Sequence, residues 1–442
     1  MPEPLIMRLH NTVVGELRPG ADRSRISMRI EPSYDPNGVT LTESFTALPG
    51  QQAPVEEFSN LLGGYLPEGN HRTVMASRRG VDPGDLLALL REFGGSVAGA
   101  VTVLPASVSP TDASAGWVEK MSERVLADRL RQALNDTDQA VPDDSRSTLP
   151  GYQPKVVARR AGRGWGQPHG TAHSTHILKP QVPHRASRLI DEHYGHLLAQ
   201  SAGLADYTSS LHVANDVVFL AIERYDRRTV PDGTVTLIHQ EDAAQALGLN
   251  WRTADSKFED PHRAGNPARP STGRIARMLS DIPRSSTVLE QWVRRLVFSI
   301  MLGDNDAHAK NIALLHTENT TVLAPAYDTV PNLHQRDMID EGFRLALSID
   351  GTFDHREISA ERIVAEVRSW KVITPDRAAT LVESAVNLCA DAVSRTPVPT
   401  GLSEGVIDKL AHTADRLTRG EAIGTSRWQS PAQQGRQPRR TR

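Results

Sequence analysis

The stretch GDNDAHAKNIALLH, residues 303–316, carries side chains whose types and spacing suit phosphoryl transfer. Asp306 is followed five residues later by Asn311, and a second acid, Asp328, ends the run APAYD. In phosphoryl transfer an Asp orients the attacking hydroxyl, while an Asn amide oxygen and another carboxylate hold Mg²⁺ against the nucleotide phosphates. Mg²⁺ prefers such hard oxygen ligands. We interpret Asp306 as a candidate base, and Asn311 and Asp328 as candidate metal ligands.

Two other interpretations of this stretch stay open on spacing alone. An Asp-x4-Asn pattern occurs often by chance, so the run can be a polar turn at the end of a helix. Asp304, Asp306 and His308 could also form a loop for a divalent metal, although the stretch lacks the Gly and the distal Glu of an EF-hand. Other parts of a nucleotide site are needed to choose among these interpretations.

Those parts occur in the expected order along the chain. A kinase needs a Lys on a strand for the nucleotide phosphates and an acid on the following helix to anchor it. Lys179 in STHILKP and Glu192 in IDEHYG are the candidates, although periodicity leaves open whether Glu192 faces inward and Lys179 could be a solubilising edge-strand Lys. The apolar run VVFLAIERYDR ends in residues that could offer backbone groups to adenine, namely Glu223, Arg224 and Tyr225.

This order of elements predicts an α+β fold: a bilobal protein-kinase-like fold with an additional N-terminal α/β subdomain and a mostly helical C-terminal lobe. Changes in composition and periodicity suggest the boundaries. The predicted units are an N-terminal subdomain (1–105), a linker with one helix (106–150), a region like a kinase N-lobe (151–226), a helical C-lobe with the catalytic loop (227–420) and a disordered tail (421–442).

Three local predictions concern the elements around the site. The run DPGDLLALLREFGG predicts a helix that Asp82 caps and Gly94 ends. The run WVEKMSERVLADRLRQAL predicts a second helix, with Val118 and Met121 on its apolar face. Between residues 155 and 180, two strands are expected on either side of a Gly-rich turn, AGRGWG.

Composition excludes several classes of protein. The 442 residues include 50 Lys and Arg against 53 Asp and Glu, for a net charge of −3, which argues against a protein whose main work is nonspecific nucleic-acid binding. The single cysteine, Cys389, excludes an intrachain disulfide and a Cys-based zinc cage, and it fits a reducing cytosol. With neither a secretory signal nor an apolar run near ~20 residues, the sequence predicts a cytoplasmic protein.

Nearly the whole chain, to about residue 415, resembles the HipA family, the serine/threonine kinase toxins of bacterial type II toxin–antitoxin modules. No single motif carries this resemblance, but many occur in order. They are YLPEG, DPGDLLALL, LPGYQPK, THILKP, IDEHYGHLLAQSAGL, VFLAIERYDR, IHQEDAAQALGL, GDNDAHAKNIALL and LAPAYDTV. The resemblance implies a protein kinase that uses ATP and Mg²⁺.

The resemblance also implies roles for particular residues. A loop at LPGYQPK, rather than AGRGWG, would cover the ATP phosphates. Asp306 would be the catalytic base, and Asn311 and Asp328 would bind the metal. Asp304 receives no role, because the family usually has a small or amide residue there. The ATP contacts would come from Gly151, Tyr152, Gln153, Pro154, Lys155, Lys179, Glu223, Arg224, Tyr225, His308, Lys310 and Asn311.

Regulation and partners follow from the same resemblance. The family is autophosphorylated just before the phosphate loop, where Thr148 and Ser147 stand here. A phosphate adds about −1.5 to −2 charges and would repel the nucleotide, although Thr148 could equally belong to a polar linker. The expected partners are a HipB-like helix-turn-helix antitoxin, through which DNA is contacted only indirectly, and a cytosolic protein substrate, which in relatives can be an aminoacyl-tRNA synthetase.

The function expected from these observations is an ATP/Mg²⁺-dependent serine/threonine protein kinase that acts as a growth-arrest toxin. Two alternatives stay open. One is a catalytically silent binding protein or co-repressor of the same family. The other is a small-molecule phosphotransferase with the same site.

Overall fold

The computed structural model describes residues 3–109, 116–136, 153–231, 233–318, 320–335 and 343–426. No helix within these ranges is both long enough and apolar enough to cross a membrane. Some predicted features lie outside the described residues: Gly151 and Tyr152 of the phosphate loop, the candidate modification sites Ser147 and Thr148, and the tail from residue 427.

The N-terminal part is an antiparallel sheet covered by helices. Its strand order is β3-β2-β1-β4. Side chains from the sheet and from three helices form one core, which includes Met7, Phe58 and Leu89. The strands are β1 (Leu5–Leu9), β2 (Thr12–Pro19), β3 (Ile26–Ile30) and β4 (Val101–Pro105), and the helices are α1 (Val55–Gly64), α2 (Gly69–Arg78) and α3 (Leu86–Phe93).

Helix α3 begins later than the sequence predicts. Asp85, rather than Asp82, is its N-cap, and the Asp85 carboxylate accepts the N–H of Ala88 at 2.9 Å. The Asp82 carboxylate instead accepts the N–H of Gly84 at 2.8 Å, in the turn before the helix. The prediction for Asp82 was wrong because the Pro-Gly pair is used by that turn and not by the first turn of the helix.

The middle of the chain is a six-stranded antiparallel sheet in the order β5-β7-β6-β8-β10-β9. Helix α4 (Glu123–Asp136) packs on this sheet, and α5 (Arg188–Ser201) follows its fourth strand in the chain. The strands are β5 (Gly116–Met121), β6 (Val156–Ala161), β7 (Gly164–Gly170), β8 (His176–Pro180), β9 (Ser209–Ala214) and β10 (Val217–Glu223).

Two local predictions in this sheet were wrong. Residues 116–121 form a strand paired with β7 rather than the start of a helix, because Val118 and Met121 have helical spacing but the long-range pairing with β7 outweighs it. Between 155 and 180 there are three strands rather than two. Of the three glycines in AGRGWG, only Gly162 lies in the turn between β6 and β7, and its φ is +58°. Gly166 lies inside β7, where a Cβ would come within 2.4 Å of the Val118 side chain.

The C-terminal part is mostly helical and has the largest core, with Trp292 and Trp370 at its centre. Small antiparallel sheets lie between its helices. They pair β11 (Arg227–Thr229) with β12 (Val235–Leu237), β13 (His239–Asp242) with β14 (Ala313–His316) and β15 (Thr321–Leu323), and β16 (Arg344–Ile349) with β17 (Thr352–Asp354). The helices are α6 (Ala243–Ala246), α7 (Thr272–Ser280), α8 (Ser285–Leu302), α9 (Ala360–Ser369), α10 (Pro375–Arg395) and α11 (Val406–Thr418).

The packed chain continues a few residues past the predicted start of the tail at 421. Ile423 is 2% exposed, and its N–H donates to the carbonyl of Ile358 at 2.8 Å. Residues 421–426 are therefore ordered, because an apolar side chain in a polar segment finds a site on the helical core. The described chain as a whole is α+β, with its two larger sheets before residue 224 and its two longest helices after residue 284.

Candidate active site

A cavity of about 630 Å³ lies where the six-stranded sheet faces the C-terminal part. The segment between α1 and α2 also contributes to its wall, through Gly64, Tyr65 and Glu68. Every sequence-predicted site residue that the structure describes lines this cavity: Gln153, Pro154, Lys155, Lys179, Glu223, Arg224, Tyr225, Asp306, His308, Lys310, Asn311 and Asp328.

Lys179 on β8 lines the cavity and is held by two carboxylates. Its Nζ donates to Glu192 Oε1 at 2.5 Å and to Asp328 Oδ1 at 2.6 Å. Burial acts to lower the pKa of Lys179, but Asp328 and Glu192 outweigh burial and raise that pKa above its ordinary value. Helix α5 thus turns Glu192 inward, which periodicity alone left open.

The loop after α8 holds Asp306 and Asn311 together, and we call residues 304–311 the catalytic loop. Gly303 ends α8 in the left-handed region, with φ +68°. Asn311 Nδ2 then donates to the Asp306 carbonyl at 2.8 Å, while the Asp306 N–H donates to Asp304 Oδ1 at 3.1 Å. Because four residues separate Asp306 from Asn311, the Asn311 amide can reach back to the Asp306 carbonyl and close the turn.

The Asp306 carboxylate is turned towards the cavity. Its side chain is 47% exposed, and Nε2 of His308 lies 3.7 Å from its Oδ1. Burial and the nearby charge of Asp328 raise the pKa of Asp306 to about 6. A carboxylate with a raised pKa is a stronger base, which suits a group that accepts the proton of a hydroxyl.

Asp304 serves the loop rather than the cavity. It is 2% exposed, and burial together with the charge of Asp306 raises its pKa well above the ordinary value. Its carboxylate faces the Asp306 backbone, so Asp304, Asp306 and His308 do not converge on a point. No cluster of three or more His, Cys, Asp or Glu side chains suited to a metal occurs within the described residues.

Asp328 returns to the catalytic loop through the hairpin of β14 and β15, as the sequence predicts. Its backbone is left-handed, with φ +54°, a conformation that Asp tolerates better than most residues. Burial acts to raise the pKa of Asp328, but Lys179 outweighs it and lowers that pKa below its usual range. The adjacent Tyr327 hydroxyl donates to the Lys310 carbonyl at 2.8 Å, which ties this segment to the loop.

The predicted hinge lines the cavity, but its groups make hydrogen bonds and ion pairs within the protein. The Arg224 N–H donates to the Thr175 carbonyl at 2.9 Å, so it is not available to a base. The Arg224 guanidinium lies 2.7 Å from Asp226 Oδ2, which Arg227 also contacts at 2.8 Å. We call Arg224, Asp226 and Arg227 the hinge cluster.

The described part of the phosphate loop adds a second cation. Lys155 is buried, and burial followed by the charge of Lys179 lowers its pKa to about 8. Gln153 Nε2 donates to Glu192 Oε2 at 3.2 Å, which joins the loop to α5. Two lysines therefore lie at the end of the cavity nearest Asp328, where they suit nucleotide phosphates.

The donors present fit Mg²⁺. Asp328 and Asn311 line the same cavity, and carboxylate and amide oxygens are the ligands that Mg²⁺ accepts. Because Asn311 Nδ2 donates to the Asp306 carbonyl, its Oδ1 is the atom that could bind a metal.

Sequence reasoning missed a second cavity, of about 510 Å³, which borders the first. The two cavities share Asp306, Arg188 and Phe258. Its other walls include residues of β16, from Arg344 to Ala346, and Phe353. Asp306 therefore lies between a cavity that suits a nucleotide and one from which an acceptor hydroxyl could reach it.

Sequence reasoning also missed Glu68. It lies within the motif YLPEG but was given no role, because its partners are far away in the chain. Its carboxylate contacts Lys257 at 2.5 Å and Lys310 at 2.8 Å. No local pattern signals an ion pair between residues so far apart.

Comparison with known families supports the resemblance. The model of the HipA N-terminal domain matches residues 5–104, and that of the HipA-like C-terminal domain matches residues 147–396. "Putative kinase Y4mE" of Sinorhizobium fredii is 29% identical over 87% of this chain and 89% of that protein. The serine/threonine-protein kinase toxin HipA of Shewanella oneidensis is 26% identical over 82% of each.

A solved structure shows the same fold. The chain matches the Shewanella oneidensis MR-1 structure of HipA with HipB and its operator DNA at a TM-score of 0.77 and 22% identity, over 93% of this chain and 97% of that chain. This match confirms the predicted α+β, kinase-like fold. Since one family model spans more than half of the sequence, this chain belongs to the HipA family.

Proposed function

We propose that this chain is an ATP/Mg²⁺-dependent serine/threonine protein kinase of the HipA type, which transfers the γ-phosphate of ATP to a cytosolic protein. One observation carries the proposal. Lys179 comes from the six-stranded sheet, whereas Asp306, Asn311 and Asp328 come from the C-terminal part, and all four line one cavity. These are the residue types that phosphoryl transfer requires. A catalytically silent binding protein would have no need to keep this set together.

Each residue has a defined task in this proposal. Asn311 and Asp328 would hold Mg²⁺, which neutralises charge on the phosphates when it is bound. Lys179, anchored by Glu192, would face the phosphates, with Lys155 beside it. Asp306 would orient the acceptor hydroxyl and take its proton, for which its raised pKa suits it.

The biological role follows the family. The named relatives include a kinase toxin, and one solved relative is bound to HipB and operator DNA. We therefore propose a growth-arrest toxin held by a HipB-like antitoxin in the cytoplasm, with DNA contacted only through that partner. An aminoacyl-tRNA synthetase is one candidate substrate, and autophosphorylation at Thr148 or Ser147 stays a prediction.

The test is label transfer from γ-labelled ATP with Mg²⁺ to proteins of a cognate lysate, with the full chain and its Asp306→Asn variant. The proposal expects label on Ser or Thr of a lysate protein with the wild type, and much less with the variant. Equal transfer by both proteins would contradict the role of Asp306. Transfer to a small molecule instead of a protein would favour the phosphotransferase alternative.

A further inference from the structure

Glu68 belongs to the N-terminal part of the chain but lines the nucleotide cavity. It is the residue before α2, in the segment that joins α1 to α2. It is 6% exposed. A buried carboxylate so far from the catalytic loop in sequence requires an explanation, because a buried charge is costly unless it is paired.

The partners of Glu68 are two buried lysines. Glu68 Oε2 lies 2.5 Å from Lys257 Nζ, and Oε1 lies 2.8 Å from Lys310 Nζ. The side chains of all three residues are 8% exposed or less. Burial acts to raise the pKa of Glu68, but Lys310 and Lys257 outweigh it and hold the pKa at about 2. The carboxylate is therefore ionised at neutral pH.

Both lysines are attached to the catalytic loop. Lys310 is part of that loop and precedes Asn311. Lys257 holds the loop from outside, since its carbonyl accepts the N–H of Ala309 at 3.1 Å. The single carboxylate of Glu68 therefore bridges the loop and the segment against which the loop rests.

The position of Glu68 is itself fixed by close packing of α1. A Cβ on Gly63 would lie 2.3 Å from the Trp251 ring, and one on Gly64 would lie 2.5 Å from the Gln245 side chain. Asn60 Nδ2 also donates to the Gly248 carbonyl at 2.9 Å. Helix α1 thus packs directly against the segment after β13. This packing fixes the position of the short segment after α1, which contains Glu68.

We propose that Glu68 is a positioning residue of the active site, which seats the catalytic loop by bridging Lys257 and Lys310 so that Asp306 and Asn311 face the nucleotide. The N-terminal part of the chain then supplies a component of the active site. The inference rests on the proposed function for its kinetic consequence, but the seating of the loop can be measured without catalysis. Misplacing a reacting group by ~1 Å can cost on the order of 10²-fold in rate.

Glu241 provides a matched control, because it also contacts the N-terminal part of the chain. Glu241 is 1% exposed and also joins the N-terminal part to the remainder, accepting from Thr42 Oγ1 at 2.6 Å and from the Glu43 N–H at 2.7 Å. Its other partner is His316 on β14, at 3.1 Å, and none of these three partners lies in the catalytic loop. Glu241→Gln therefore reproduces the loss of a buried carboxylate without the loss of the bridge.

The first experiment is hydrogen exchange on the full chain without nucleotide. Glu68→Gln should speed exchange of amides in residues 304–311, whereas Glu241→Gln should leave them as in the wild type. Unchanged exchange at 304–311 in a folded Glu68→Gln protein would overturn the inference, whether or not the wild type is a kinase. Equal acceleration by both variants would also overturn it, since it would show general loosening of the junction.

The second experiment measures initial rates of label transfer to a cognate lysate over a range of ATP concentrations. Glu68→Gln should lower the saturating rate on the order of 10- to 10²-fold, and change the half-saturating ATP concentration less. The double variant Glu68→Gln with Lys310→Met should be no slower than the slower single variant, because both changes break one bridge. A saturating rate equal to that of Glu241→Gln, or losses that multiply, would contradict the inference. No transfer by the wild type would instead contradict the proposed function.

Discussion

Two clusters of charged side chains contribute to the wall of one cavity, and they are built differently. In the hinge cluster, Asp226 accepts from Arg224, from Arg227 and from the N–H of Gly99 at 2.8 Å. Arg227 also donates to the Val97 carbonyl at 2.6 Å. Burial acts to raise the pKa of Asp226, but the two arginines outweigh it and lower that pKa.

The second group, which we call the catalytic cluster, consists of Lys179, Glu192, Asp306 and Asp328. Here Lys179 satisfies two carboxylates, while burial and Asp328 raise the pKa of Asp306 to about 6. Asp328 also has a left-handed backbone. The hinge cluster surrounds one carboxylate with two arginines, whereas the catalytic cluster has three carboxylates and one lysine, so that ionised Asp306 is destabilised. Such a cost at neutral pH is expected where a ligand is to complete the site.

The largest expected effect comes from Asp306→Asn. Loss of the base should lower the rate of label transfer by about 10²–10⁴-fold, since general base catalysis contributes that much. Because the pKa of Asp306 is raised to about 6, its ionisation at pH 7 destabilises the fold, so the variant should have a Tm no lower than the wild type. Rates of label transfer and thermal unfolding at pH 7 check the two halves. A variant that is slow and also clearly less stable would contradict the contrast between the clusters.

At the hinge cluster we expect the opposite result, a loss of stability with little loss of activity. Asp226→Asn removes the one carboxylate that two buried arginines share and should lower the free energy of unfolding by about 3–5 kcal/mol, with little change in the rate per folded molecule. Urea unfolding measures the first quantity and label transfer the second. Asp206, which is exposed, gives the control Asp206→Asn. A stable but inactive Asp226→Asn protein would place the hinge cluster in the catalytic machinery.

Acid should weaken the contribution of Glu68, a buried carboxylate outside both clusters, to stability. Its pKa is lowered from 4.5 to about 2 by Lys310 and Lys257 in spite of burial, so its contribution is complete above pH 4.5 and is lost as the pH falls towards 2. The wild type should be more stable than Glu68→Gln by about 3 kcal/mol at pH 7, and this difference should shrink across that window. Urea unfolding of both proteins from pH 7 to pH 3 checks it. A difference that stayed constant would show that Glu68 is not a paired, ionised group.

The smallest expected effect comes from a helix cap that lies outside both charge clusters and apart from Glu68. Asp85→Ala removes the N-cap of α3 and should cost about 1 kcal/mol of stability without changing label transfer. Asp82→Ala should cost less, because Asp82 is exposed and bonds only within the preceding turn and to Arg23. Urea unfolding compares the two variants. A larger cost for Asp82→Ala would mean that the helix begins earlier than Leu86.

The chain order of functional residues made much of the site predictable. Lys179, Asp306, Asn311 and Asp328 lie in short patterns that can be recognised in the sequence, and a protein-kinase-like fold places such residues in that order. The α+β fold followed from the same order and from the family resemblance.

What sequence reasoning left open depends on contacts that no local pattern records. The orientation of Glu192 was unsettled because α5 is buried on several faces, so its periodicity is weak. Glu68 was missed because Lys310 lies 242 residues away. The strand at 116–121 was missed because its pairing with β7, which turns Gly166 towards Val118, is a long-range interaction.

The binding of Mg²⁺-ATP at the catalytic cluster is tested most directly by ligand-dependent thermal unfolding. A ligand that binds only the folded protein raises Tm, and Mg²⁺ should raise the Tm of wild type in ATP beyond the effect of either ligand alone. Asp328→Asn, which tolerates the left-handed backbone, should lose that Mg²⁺-dependent increment while it keeps a fold. A wild-type Tm that ATP and Mg²⁺ together leave unchanged, or an increment that Asp328→Asn preserves in full, would contradict the assignment of this cavity.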